Sequence, residues 1–173
     1  MDIQSTKKFQ VLIIFLFPLF LFAQTVDSSN HYNYNWNSLA LHAGVGLQRS
    51  AYLEIGTSYI YHNFNSRQGF VNGILFTSFE WTPIKNIYGI KVGAEYGYNL
   101  SMLCIDLKYQ FRNSTKDLVI TPKIGLGLGL LSLYYGYTIS TSKYPFPSIG
   151  KHQFSMTINF TRKYFEKINT KTK

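Results

Sequence analysis

Tyr88-Gly89-Ile90-Lys91-Val92-Gly93-Ala94-Glu95-Tyr96-Gly97-Tyr98, followed after a short break by Leu103-Cys104-Ile105-Asp106-Leu107-Lys108-Tyr109-Gln110-Phe111, is the stretch that decides the fold. An extended chain points alternate side chains to opposite faces. The even positions of the first run and the odd positions of the second hold only Tyr, Ile, Val, Ala, Leu and Phe, while the intervening positions hold Gly, Lys, Glu, Cys, Asp and Gln. A helix would scatter both sets around its circumference. The alternation predicts two antiparallel strands that share one uncharged face.

The same period continues outward in both directions. Leu39–Leu47, Ala51–Asn63, Phe70–Trp81, Leu118–Leu128, Leu131–Ile139 and His152–Phe160 repeat it, which makes eight runs with Gly, Asn, Ser or Pro at the breaks. Each is longer than the usual strand of about five or six residues and close to the length of a tilted membrane-crossing strand. The expected fold is all-β: a closed, antiparallel, up-and-down transmembrane β-barrel of about eight strands. The polar face gathers Glu54, Glu80, Lys91, Glu95, Asp106, Lys108, Arg112 and Lys123, four acids against four bases, together with ten glycines. Inside a narrow barrel such charges must pair, because an isolated buried charge costs several kcal/mol. A salt-bridged polar plug in a largely filled lumen is therefore expected rather than an open channel.

Orientation follows from the other face. Two kinds of eight-stranded barrel obey the pattern: a secreted soluble one that encloses a small apolar ligand, and an outer-membrane one that turns its apolar face to lipid. About forty apolar positions would overfill an eight-stranded interior, whereas glycines suit a crowded lumen. With β-strand one running outward from the periplasm, Tyr59, Tyr61, Tyr96, Tyr98 and Phe160 fall at periplasmic ends. Phe79, Trp81, Tyr88, Tyr109, Phe111, Tyr135, Tyr137 and Phe154 fall at outer ends, with aliphatic residues between the two groups. Two aromatic belts around an aliphatic band are what a bilayer selects.

The 173 residues carry Lys+Arg 17 against Asp+Glu 8, a formal +9, with 14% charged and 17% aromatic residues. That excludes a mainly disordered chain and leaves room for one domain. The single Cys104 excludes a disulfide scaffold and a Cys-based zinc site. Lys7 and Lys8 precede the apolar run Val11–Ala23, which ends in Phe22-Ala23-Gln24, the order of a secretory signal. The expected organisation is a signal peptide over 1–24, an Asn-rich lead-in over 25–38, the barrel over 39–160 and a basic tail over 161–173. An exported chain without a basic helix argues against nucleic acid as a partner.

On these features the chain resembles the small eight-stranded outer-membrane β-barrel proteins of Gram-negative bacteria, particularly those of Bacteroidetes-type cells. The resemblance covers the signal and Leu39 to Phe160. Its most suggestive pieces are Thr121-Pro122-Lys123-Ile124-Gly125-Leu126-Gly127-Leu128-Gly129 and the last strand Gln153-Phe154-Ser155-Met156-Thr157-Ile158-Asn159-Phe160. It implies an outer-membrane location, contact with outer-membrane lipids, and insertion by the outer-membrane assembly machinery, which reads a last strand closing on an aromatic residue. In this chain 13 residues follow Phe160, a departure from the usual ending.

No enzymatic, metal or cofactor chemistry is expected. His152 and Ser155 invite comparison with lipid A deacylases, but two residues separate them, which puts them on opposite faces. His42 and His62 lie on the polar face without ligand spacing, and no HExxH, GxSxG or P-loop pattern occurs. Cys104 is expected to be reduced and inert. The Ser140–Lys151 break, with Tyr144-Pro145-Phe146-Pro147, is expected to expose aromatics outside the cell, either as a plain loop or as a contact site for a surface partner or lipid. The expected role is structural or interactive; a soluble apolar-ligand carrier and a lipid-modifying outer-membrane enzyme are the alternatives.

Overall fold

The computed structural model of the protein describes residues 33–65, 69–128, 130–141, 146 and 150–161. The strands in order are β1 (Asn33–Leu47), β2 (Ala51–Asn65), β3 (Gly69–Thr82), β4 (Ile87–Tyr98), β5 (Ser101–Arg112), β6 (Thr115–Gly127), β7 (Leu131–Tyr137), β8 (Ile139–Ser140) and β9 (His152–Phe160). A 3-10 turn, Pro83–Lys85, joins β3 to β4. β7 and β8 lie in line against β6 with only Thr138 between them, so the wall has eight positions. Every neighbouring pair is antiparallel, and the β1–β9 and β5–β6 ladders complete the ring. The chain is therefore an all-β, closed, up-and-down eight-stranded barrel.

Local chemistry fixes the hairpins. Asn99 and Asn113 open the two-residue turns after β4 and β5 with φ of 53° and 51°. Asn tolerates this left-handed conformation better than other residues with a Cβ, and hairpin turns of this length demand it. The Asn99 backbone N–H also donates to the Phe70 carbonyl at 2.7 Å, and the Asn99 side-chain oxygen accepts from the Phe70 N–H at 3.1 Å. The turn after β4 is thus tied to the start of β3.

Register fixes the barrel's girth. A walk along paired residues from Leu47 passes Phe154, Tyr135, Ile124, Leu103, Tyr96, Gly73 and Tyr61 and returns to β1 at Asn37. The displacement is 47 − 37 = 10 residues. Eight strands with that stagger, at ordinary strand spacing and rise, tilt by about 40° and give a backbone radius of about 8 Å. Such a cylinder encloses side chains and little else.

The two faces segregate as the alternation requires. The apolar face is outside: Leu39 is 75% exposed, Leu75 63% and Leu103 59%, and none of the residues on that face is buried. The interior holds Glu54, Glu80, Lys91, Glu95, Asp106, Lys108 and Lys123, all buried. Arg112 is a correction: it ends β5 beside the Asn113 turn and is exposed, so four acids and three lysines of the expected set remain inside, and Asp117 on β6 joins them as a fifth acid. A strand's parity places a side chain on a face only while walls flank it, and at residue 112 the wall has ended. Nor is the interior polar throughout. Ala40, Ile60, Ile74, Phe76, Met102, Cys104 and Tyr134 form an apolar cluster within it, with Trp36 packed against them.

Most strand limits agree within two residues, and two starts differ by more. β1 begins at Asn33, six residues ahead of the predicted Leu39, and β6 begins at Thr115 instead of Leu118. Phe146 is a second correction, because at 5% exposure it is buried rather than displayed on the loop. The signal segment, residues 25–32 of the lead-in, Tyr144, Pro145, Pro147, Gly129 and the tail from 162 lie outside the described residues.

Candidate functional site

The interior network starts from an apparent conflict. Glu54 on β2 stands directly opposite Glu80 on β3, and Lys91 on β4 directly opposite Lys108 on β5. Like charges so placed repel. The two pairs resolve each other across the lumen. Lys91 Nζ is ion-paired and hydrogen-bonded to Glu54 and lies 3.0 Å from Glu80 Oε2, while Lys108 Nζ donates to Glu80 Oε1 at 2.8 Å. Gln110 Nε2 also approaches Glu80 Oε1, at 3.3 Å.

Further groups extend the network to the remaining strands. Tyr52 on β2 offers its ring to both ammonium groups, at 5.1 Å from Lys91 and 5.5 Å from Lys108, and Gln153 on β9 donates to its hydroxyl at 2.5 Å. His42 on β1 sits 3.5 Å from Glu54 Oε1 and is hydrogen-bonded through Nδ1 to Asn159 Oδ1 at 2.9 Å; Ser58 donates to the same oxygen at 2.8 Å. On the other side Lys123 pairs with Asp106 at 2.5 Å and lies over the Tyr134 ring. Every wall position except β7–β8 and β6 thus meets the Glu54–Glu80 group through a chain of contacts, and β6 and β7 contribute Lys123 and Tyr134 to a second one.

Glycines make room for these side chains. Gly44 pairs with Glu54, Gly46 with Tyr52, Gly93 with Asp106 and Phe76, and Gly136 with Lys123. A Cβ on Gly46 would overlap the Tyr52 ring, and one on Gly44 would meet the Glu54 side chain. Large inward residues therefore fit an eight-stranded lumen only because their cross-strand neighbours lack a side chain.

The end of the barrel where β1 begins carries ring contacts instead of charges. Trp36 stacks on His62 at 4.7 Å, Phe70 meets His62 edge-on at 4.0 Å, and His42 stacks on Phe76 at 4.8 Å. His42 and His62 are thus held by aromatic and polar neighbours, and among the described residues no three of His, Cys, Asp and Glu assemble as a metal set. His152 and Ser155 do lie on opposite faces: His152 is exposed, with Nδ1 hydrogen-bonded to the Tyr135 hydroxyl at 2.7 Å, and Ser155 is buried. Cys104 is buried and unpaired with any other cysteine.

Of the eight charges that the sequence places inside, the structure brings seven together and leaves out Arg112, and sequence reasoning missed three members of the site. Asp117, buried and accepting from Ser140 Oγ at 2.9 and 2.7 Å, lies just ahead of the predicted start of its strand. Tyr52 and Tyr134 are interior aromatics, whereas Tyr59, Tyr61, Tyr88, Tyr96, Tyr98, Tyr109, Tyr135 and Tyr137 face out; parity alone marks them.

All the predicted belt residues face outward. Tyr59, Tyr61, Phe79, Trp81, Tyr88, Tyr96, Tyr98, Tyr109, Tyr135, Tyr137, Phe154 and Phe160 are exposed, and Phe111 is half-exposed. On β3, β4 and β5 the rings form a row: Phe79 and Tyr88 are 5.9 Å apart, Tyr88 and Phe111 6.1 Å, and Tyr109 and Phe111 6.3 Å. Tyr135 stands 5.2 Å from Phe154 on the next strand but one along the chain.

Compared with known proteins, the chain matches no protein-family model, no curated protein and no solved structure.

Proposed function

We propose that this protein is an outer-membrane β-barrel with a structural or surface-interaction role, exported through its N-terminal signal and inserted by the outer-membrane assembly machinery. One observation carries the reading: between the two aromatic belts the outer wall is mostly apolar and carries no charge around its full girth, while seven of the eight charges expected on the polar face are inside. Water would disfavour that surface, since an exposed apolar patch on a soluble monomer rarely exceeds a few hundred Å². Lipid favours it.

The dimensions support the same reading. Tyr88 and Tyr98 lie ten residues apart on the outer face of β4. At a tilt of about 40° that separation spans about 25 Å along the barrel axis, the height of the apolar band of outer-membrane barrels. The resemblance to the small Gram-negative barrels agrees with this. A bilayer also explains why rings collect at the two ends of the wall.

The Glu54–Lys91–Glu80–Lys108 cluster then acts as a cross-brace that holds the wall closed. A purely structural lumen of this kind requires no ligand and no catalytic group. The test is refolding from urea. In the presence of phosphatidylcholine vesicles the chain should insert and gain protease resistance over 33–161, whereas without lipid it should aggregate. A monomeric, folded barrel in plain buffer would overturn the reading.

A further inference from the structure

The outer wall carries one polar interruption. Thr57 on β2 and Thr77 on β3 are directly paired, outward-facing and exposed. Thr57 stands four residues along β2 from Tyr61 of the periplasmic belt, and Thr77 four residues along β3 from Trp81 of the outer belt, which puts the pair near mid-height. Leu41 and Val92 continue its row on either side. Among the described residues between the two belts, every other outward side chain is hydrocarbon.

Both hydroxyls keep unused hydrogen-bonding capacity. Each offers one donor and two lone pairs, and neither has a hydrogen-bond partner among the described residues. Threonines that face each other across a ladder can bond together, but one such bond leaves the second O–H unpaired. Acyl chains supply neither donors nor acceptors, and an unpaired polar group in hydrocarbon is unfavourable. Toward the periplasmic rim the same face is dented. Gly73 on β3 lies between Tyr61 and Tyr96, and a Cβ there would meet nothing closer than the Tyr61 Cβ at 3.9 Å.

We propose that β2 and β3 form a self-association face, through which two copies of this chain pair in the membrane about a two-fold axis beside Thr57 and Thr77. The inference rests on the membrane reading above and deepens it by naming a partner. Facing copies related by such an axis set β2 of one against β3 of the other, so Thr57 of each copy meets Thr77 of the other. Four hydroxyls so arranged can each donate once and accept once, which uses the capacity that lipid leaves open. The same axis brings a tyrosine of one copy's β2 toward the other's dent at Gly73, where a small residue permits close approach. The pair complements itself, and that selects a second copy over an unlike partner.

The face is modest in area. From β1 to β4 it is three inter-strand steps, about 14 Å, wide, and over an apolar band about 25 Å tall it covers about 350 Å² per copy. Soluble partners that bury so little associate weakly, so the pairing is reversible and is read in the membrane itself.

The experiment is energy transfer between copies labelled with donor or acceptor at Lys85→Cys, an exposed turn position, and inserted together into phosphatidylcholine vesicles over a range of lipid dilutions; Cys104 is buried in the lumen and stays unlabelled. Transfer above the level of random proximity, falling on dilution as a monomer–dimer equilibrium, is expected. The double variant Thr57→Val/Thr77→Val keeps the shape of both side chains and makes the wall more apolar, so it inserts as the parent does and should lower the association constant by about tenfold. Gly73→Leu, which fills the dent, should lower it as well. Transfer at the random level in the parent chain, or association unchanged in the double variant, would overturn the face while leaving the membrane reading intact. A chain that never enters the vesicles would overturn both, and unboiled gel mobility separates the two failures.

Discussion

Lys91 and Lys108 stand directly opposite each other on β4 and β5, yet both ammonium groups converge on the carboxylate of Glu80. Glu80 in turn faces Glu54 on the neighbouring strand, and Lys91 holds the two acids together. Four strands are thereby joined through the lumen by side chains that would repel within their own strand pairs.

Lys91 is the group on which this arrangement turns. Lys91→Met should leave Glu54 and Glu80 facing each other without their shared counter-ion and cost about 3–5 kcal/mol, the penalty of an uncompensated buried charge. Adding Glu54→Gln should recover part of that loss. Urea unfolding of vesicle-inserted protein, followed by the fraction migrating as the compact form in cold SDS, measures both.

Gly46 should not tolerate a side chain. Its Cβ would occupy the space of the Tyr52 ring, so Gly46→Val is expected to cost about 1–3 kcal/mol through overpacking. Combining it with Tyr52→Ala should restore the clash-free wall at the expense of the ring that sits beneath Lys91 and Lys108. The pair of unfolding midpoints reads out this coupling as a departure from additivity.

Asn72 offers the opposite sign. It is fully buried opposite His62 and Gly97, and neither its side-chain nitrogen nor its oxygen has a partner among the described residues. Asn72→Leu, with the same branching of its heavy atoms, should stabilise the barrel by about 1 kcal/mol because it removes two unmade hydrogen bonds. A rise in the urea midpoint at unchanged slope is the expected result.

The outer wall gives a test of orientation. Leu107 is outward-facing at the middle of β5 and 43% exposed. Leu107→Arg should cost about 2–4 kcal/mol at mid-bilayer depth and prevent assembly into the membrane. The control is Lys116, which already places a positive charge on the same face beside Phe111 at the rim. Lys116→Leu should assemble normally.

The alternation in Tyr88–Tyr98 and Leu103–Phe111 was enough to read the strands, the two faces and the closed barrel, because a period of two survives every change of partner. β9 agrees with its predicted limits, since His152 and Phe160 bracket an unbroken alternation. β1 and β6 start earlier for a reason the local pattern hides. Asn33–Ser38 and Thr115–Asp117 look like loops by composition, but each is drawn into the ladder by a partner that continues past it, Asn65 to Ile60 on β2 and Arg112 to Gln110 on β5. The network was legible only as a set of residues. Which acid meets which lysine depends on the ten-residue stagger of the closed ring, which turn lengths and pairing fix together. Arg112 and Phe146 show the same dependence: both have the chemistry of their predicted places, and the end of a wall in one case and burial in the other decide differently.

The central claim is that the charge-free outer wall meets lipid. The most direct measurement is fractionation of the producing cell, with the outer-membrane fraction run on SDS gels before and after boiling. The account expects the protein in the outer membrane, compact in the cold sample and shifted in mobility on boiling; a protein recovered in the soluble periplasmic fraction, with one mobility under both conditions, would contradict it.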